Sequence, residues 1–284
     1  MSVSLLQDSS NNAHVLDVGM KSNVSVRGAN TECIGTASGA SLFVEHIVKT
    51  FPAPDGTGLF KALSDVSFEI AVASCALIAG ANGSGKSVLM SIIAGLEKAD
   101  SGSVRIMCGG KKAHAGLVFQ DADSQLLGET PLEDVSFSLK NVGIRCAGAK
   151  QKALHVLSQV GLADKALFPA HFLSGGEKRK LAVASIIALD MPLVIFDEPY
   201  ANLDYDGVKQ VNEVIMLLKK RGITVLILTH ELEKSLALCD RFIVLYHGKK
   251  VFDGTVHEGL SQNLESWNIR NPLVVYKEVG DLLW

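Results

Sequence analysis

Hydrophobic and polar positions along the chain follow two rhythms. Leu42-Phe43-Val44-Glu45-His46-Ile47-Val48 reads as a strand, and Val66-Ser67-Phe68-Glu69-Ile70 alternates with period two, as a half-buried strand does. A turn-rich stretch from Pro52 to Gly58 separates them. Short, nearly continuous apolar runs at Ala76–Ala79, Leu193–Phe196 and Ile223–Leu228 fit strands buried on both faces of a parallel sheet. Helical spacing takes over at Ser87–Leu96, and Val208, Val211, Ile215 and Leu218 form one apolar helix face. Residues 124 to about 189 carry helical spacing and no convincing strand, with helices predicted over Ala147–Val160 and Gly175–Leu189. Leu232, Leu236 and Leu238 suggest a further helix start, and Leu260, Leu264, Trp267 and Ile269 recur at roughly helical spacing in a tail predicted to pack on the core. Strands alternating with helices predict an α/β fold with a helical insertion.

Residues 1 to about 40 lie outside this pattern. They are rich in Ser, Asn and Gly and hold no Phe, Trp or Tyr, so they bury too little apolar area to offset ordering entropy. The expectation is a flexible extension. It lacks the basic start and apolar core of a secretory signal.

Composition narrows the function classes. The 284 residues are 48% hydrophobic and 20% charged with a formal net charge of −3, a globular balance that excludes a strongly basic nucleic-acid binder. No apolar run is long enough to span a membrane; Leu181–Phe196 comes nearest and is broken by Ser185, Asp190 and Pro192. The five cysteines show no metal-ligand spacing and read as reduced thiols.

Three stretches carry chemistry. Gly80-Ala81-Asn82-Gly83-Ser84-Gly85-Lys86-Ser87 lies between an apolar strand and a helical pattern. Its glycines let backbone N–H groups converge on phosphate oxygens, the helix N-terminus adds partial positive charge, Lys86 suits the β- and γ-phosphates, and Ser87 suits Mg²⁺. Leu193–Phe196 ends in Asp197-Glu198, which fit a metal ligand and a base polarising water. Leu173-Ser174-Gly175-Gly176-Glu177 makes a capping box, yet two glycines in a first turn disfavour helix and suit close approach to a ligand, a second anion surface.

Together, GANGSGKS, LSGGE and VIFDEP resemble the ATP-binding-cassette ATPase family. The resemblance covers about residues 42–254 and includes Gln120 in Leu117-Val118-Phe119-Gln120, Ala201-Asn202-Leu203-Asp204, and His230 after Leu228-Thr229. It implies a P-loop NTPase core with an antiparallel N-terminal β subdomain and a 41–254 ATPase domain whose helical part spans about 124–189; the 255–284 tail lies beyond the resemblance, open to packing on the core or to contact with a partner cassette. It further implies that ATP and Mg²⁺ are the cofactors, that Phe51 stacks on adenine, that Ser87, Gln120 and Asp197 serve the metal, and that Glu198, His230, Gln120 and Lys86 are catalytic. Ser174 and Gly176 would meet the γ-phosphate held by a second, head-to-tail cassette, and Gly175 and Asp204 would also belong to the nucleotide-binding set.

More narrowly, the stretch from Gly116 to Leu126, the stretch from Pro131 to Phe137, and LSGGEKRK resemble the ATP-binding subunits of energy-coupling-factor importers of the cobalt and vitamin type. That implies a transmembrane coupling subunit and a substrate-binding membrane subunit as partners, and a peripheral place on the cytoplasmic face of the membrane. Glu177 stands where many members have Gln, Phe51 where Tyr is usual, and Tyr200 where Thr or Ser is common; none of these removes a catalytic group. The alternative is a soluble ABC ATPase acting on nucleic acid, ribosomes or assembly. It is disfavoured by the lack of a long coiled coil before the signature and by a single cassette in the chain.

Overall fold

The computed structural model describes residues 39–53, 56, 58–121, 123–275 and 277–279. The expected N-terminal extension falls almost wholly outside them.

Two sheets form. β1 (Ser41–Pro52), β2 (Leu59–Ile70), β4 (Ser101–Cys108) and the two-residue β5 (Lys111–Lys112) make an antiparallel sheet of order β2-β1-β4-β5. β3 (Cys75–Ala79), β6 (Ala115–Val118), β7 (Leu193–Asp197), β8 (Thr224–Thr229), β9 (Arg241–Tyr246) and β10 (Lys249–Gly254) make the second, of order β10-β9-β3-β8-β7-β6. Only β10 runs antiparallel to its neighbour there. The helices are α1 (Lys86–Ile93), α2 (Pro131–Asn141), α3 (Cys146–Gln159), α4 (Gly175–Ala188), α5 (Tyr205–Lys220) and the short α6 (Val256–Leu260).

Every residue of β3, β7 and β8 is buried, which explains their uninterrupted apolar runs. The two faces of these strands feed two cores. Leu77, Phe196, Ile227 and Val244 join a core made with α2 to α5, whereas Ile78, Ile195, Leu228 and Ile243 join one made with β1, β2 and α1. The helical region therefore shares its core with the sheet.

Local chemistry fixes the helix starts. Thr130 caps α2 by accepting from the Glu133 N–H, with Pro131 at the first helical position. Buried Asp134 then accepts from the Leu127 and Gly128 N–H groups (2.7 and 3.0 Å) and from Ser185 Oγ (3.2 Å), fastening the segment after β6 to α2 and α4. The expected helix after His230 is instead two 3₁₀ turns, Leu232–Lys234 and Leu236–Leu238. Beyond β10, Leu264 and Ile269 are buried in the helical-side core, and Trp267 and Leu260 lie against it, so the tail packs on this chain. Cys75 and Cys239 place their sulfurs 3.7 Å apart as thiols.

Candidate functional site

Parallel register collects the chemical residues at one edge of the large sheet. Ala79 at the end of β3 pairs with Thr229 of β8, and Asp197 at the end of β7 pairs with Leu228. The loop after β3, the Asp197-Glu198 step and His230 therefore emerge side by side at the carboxyl ends of the strands, where ligands bind in open α/β sheets.

Residues 80–85 cross from β3 into α1. Gly85 has φ +102°, and a Cβ there would lie 2.8 Å from the Ala62 carbonyl oxygen and from Leu63 Cδ2. A Cβ on Gly80 would meet the Leu245 carbonyl at 2.4 Å. The glycines thus let the loop lie flush against β2 and β9. The Gly248 N–H donates to the Ser84 carbonyl and the Ser64 N–H to the Gly248 carbonyl, so the β9–β10 turn ties the loop to β2 from behind.

An open cavity of about 300 Å³ sits over this loop, lined by Asn82, Gly83, Ser84, Gly85, Lys86 and Ser87 together with Gln120, Glu198, His230 and Phe60. Lys86 is buried, and its Nζ donates to the Gly80 carbonyl at 2.6 Å and the Ala81 carbonyl at 3.3 Å and lies 3.6 Å from Glu198 Oε1. Burial pulls its pKa down, against the attraction of Glu198 and Asp197. Glu198 has φ +44°, a left-handed conformation that a non-glycine residue holds only under constraint. The constraint is visible: its N–H donates to the Leu228 carbonyl, its Oε2 accepts from Thr229 Oγ1 at 2.9 Å, and His230 Nδ1 lies 3.0 and 3.1 Å from its two carboxylate oxygens. Asp197 is buried, and burial first, then the neighbouring Glu198, push its pKa up. Its Oδ1 has no hydrogen-bond partner.

Similarity to known proteins decides what this edge is. The family described as ABC transporter matches residues 63–201. The cobalt import ATP-binding protein CbiO of Rhodobacter capsulatus is 34% identical over 82% of this chain and 86% of its own length. The energy-coupling factor transporter ATP-binding protein EcfA of Carboxydothermus hydrogenoformans is 35% identical over 83% and 89%. The solved structure of cbiO1 from Clostridium perfringens, part of the ABC transporter complex cbiONQ, superposes with a TM-score of 0.66 at 30% identity, covering 81% of this chain and 95% of that one. The chain belongs to the ABC transporter family. It is an ATP-binding, ATP-hydrolysing cassette of that family, with the α/β cassette fold.

The remaining motif residues of the cassette lie apart from the cavity. Ser174 and Gly175 are exposed at the start of α4, where Ser174 and Glu177 form the capping box. Gly176 is buried instead: a Cβ there would meet Gln210 Oε1 at 2.8 Å and Gly207 Cα at 3.1 Å. So the second glycine serves the packing of α4 on α5, a reason the sequence reading did not include. Asp204 caps α5, accepting from the Gly207 N–H at 2.8 Å. Phe51 pairs across the hairpin with Phe60 and carries Lys49 Nζ 5.1 Å from its ring centre, but it does not line the cavity. Phe60, 53% exposed, does. Phe60 escaped the sequence reading because only the β1–β2 register brings it beside the phosphate loop.

A second hollow of about 260 Å³ lies between β6, α2 and α4, lined among others by Leu117, Gln125, Leu127, Ser138 and Ile186. Leu127, in its lining, is exposed. Among the described residues no helix is long and apolar enough to cross a membrane.

Proposed function

We propose that this cassette drives import of a small cargo, a metal ion or a vitamin, as one of two cassettes arranged head to tail beneath a transmembrane coupling subunit. A separate membrane subunit would bind the cargo, and the cassette would sit peripherally on the cytoplasmic face. The relatives named for cobalt import and for energy coupling support the class of transporter. The observation that carries the paired arrangement is the separation of two anion surfaces. The cavity over residues 80–87 contains Lys86, Glu198 and His230, whereas Ser174 and Gly175 present exposed backbone outside it. A second phosphate surface that does not reach its own nucleotide fits one that closes over another cassette's.

In this reading the loop amides, Lys86 and Asn82 hold the phosphates of ATP, with Lys86 leaving the Gly80 and Ala81 carbonyls for the β- and γ-oxygens. Glu198 polarises the attacking water and accepts its proton as the new oxygen–phosphorus bond forms and the bond to ADP breaks. His230 holds Glu198 and contacts the γ-phosphate. The buried, unpartnered Asp197 Oδ1, the Ser87 hydroxyl and the Gln120 amide oxygen are hard oxygen donors that suit Mg²⁺. When bound, the ion would neutralise phosphate charge. Among the described residues no group of three or more His, Cys, Asp or Glu could hold a metal unaided, which fits a cation that shares its ligands with phosphates.

The adenine rests against the aromatic pair of the hairpin, with Phe60 foremost and Phe51 behind. Phe60→Ala is then expected to raise the KM for ATP roughly two- to tenfold, with a smaller rise for Phe51→Ala. Equal KM values for Phe60→Ala and the native chain would remove Phe60 from the nucleotide site.

The hollow between β6, α2 and α4 is the surface offered to the coupling subunit. A tagged chain purified from its native membranes in mild detergent should bring down a multi-span protein identifiable by mass spectrometry. Recovery of soluble partners alone would sink the importer reading.

A further inference from the structure

Arg179, three residues past the glycine pair of α4, is the one arginine among the buried charged residues described and is only 6% exposed. Three segments meet on it. Its Nη2 donates to the carbonyl of Gln120 and to the carbonyl of Ala201, both at 3.0 Å, and its Nη1 donates to the Gly175 carbonyl at 3.4 Å. Nε has no partner. Gln120 lies in the segment after β6, Ala201 in the segment between Glu198 and Asp204, and Gly175 at the exposed start of α4.

The chemistry of this contact is unusual for a buried cation. Its three hydrogen bonds go to backbone carbonyls of the described residues, whose dipoles solvate it, and the charge of Asp121 supports it against the pull of burial. A planar guanidinium fixes the angle between the groups it binds, which a single ammonium cannot do. Gln120 and Ala201 lie in irregular backbone, where no ladder of hydrogen bonds would otherwise set their relative position. A shift of either segment therefore has to move or break a bond to the same side-chain nitrogen.

We propose that Arg179 is a positioning residue that makes the segment at 119–121, the segment at 201–204 and the start of α4 respond together to nucleotide. It touches neither ATP nor water in this scheme, and it rests on the ATPase reading above. Its expected signature is a loss of turnover without a loss of ATP binding, because it does not line the cavity.

The test uses the full chain, with Arg179→Lys and Arg179→Met beside the native protein. Lysine keeps the charge and loses the fork; methionine keeps much of the volume and loses both. In both variants kcat for ATP is expected to fall about tenfold while KM stays within about twofold. Amide hydrogen exchange with a non-hydrolysable ATP analogue supplies the second readout. In the native chain the analogue should slow exchange at 80–87, 119–121 and 201–204. In Arg179→Lys protection at 80–87 should persist while that at 201–204 is lost. Native kcat in Arg179→Lys, or undiminished protection at 201–204, would overturn the proposal and leave Arg179 a packing residue. Absence of protection at 80–87 in the native chain would instead overturn the nucleotide site itself.

Discussion

Glu198→Gln is expected to bind ATP normally and release phosphate on the order of 100- to 10,000-fold more slowly than the native chain. The substitution is close to isosteric. A glutamine side-chain oxygen can still accept from Thr229 Oγ1, which lies 2.9 Å from Glu198 Oε2, so the turn that holds φ +44° should survive. What it removes is the charge that takes the proton from attacking water. With turnover stopped, ATP should hold two cassettes together, because the exposed Ser174 and Gly175 of one would stay closed on the γ-phosphate of the other. The checks are single-turnover phosphate release and size-exclusion chromatography with ATP, Mg²⁺ and the partner cassette present. Native phosphate release would take Glu198 out of the reaction, and a monomeric elution profile would count against the paired arrangement.

Lys86→Met should weaken ATP binding on the order of a hundredfold, measured by calorimetry. The ammonium is buried beside the loop and already bends onto the Gly80 and Ala81 carbonyls, so it is held where phosphate oxygens would arrive. Methionine fills the same channel without the charge. The fold should lose only about 1 kcal/mol, the net worth of the carbonyl contacts. Affinity within twofold of native would mean that backbone amides alone hold the phosphates.

The two variants separate the steps, since one binds without turning over and the other fails to bind. Measured together on the same preparation, they tell a defect in chemistry from one in capture. Either result leaves the family assignment in place, because that rests on the whole chain's similarity and not on a single side chain.

The elements that the sequence made legible are those whose burial is total. β3, β7 and β8 are apolar on both faces, α4 is buried nearly all round from Leu181 to Ala188, and α5 carries the one-faced spacing of a helix packed on a core. The glycine loop was equally plain, since strand, loop and helix follow one another without a gap. Less was visible where one face meets water. β4 alternates through Val104 and Ile106 amid exposed neighbours, and α2 is announced only by its cap, Thr130-Pro131 with Glu133. Leucine spacing after His230 suggested a helix, but buried Ser235 breaks the run between two 3₁₀ turns. Phe60 and Arg179 were out of reach for another reason. Their surroundings come from residues far along the chain, Phe51 across a hairpin for one and Gln120 and Ala201 for the other. No local pattern encodes such meetings.

The packed tail has a consequence for anyone recombining cassettes. Chimeras are naturally joined just after the last recognisable motif, here near Gly254. A junction there would discard Leu264 and Ile269 from the core and remove the helix whose Gly259 fits so tightly on Phe242 that an added Cβ would come within 2.1 Å of its ring. Each large apolar side chain withdrawn from a core costs about 2–5 kcal/mol. Exchanging cassettes between related transporters therefore calls for a crossover beyond Ile269, with this stretch carried along as part of the engine's own housing.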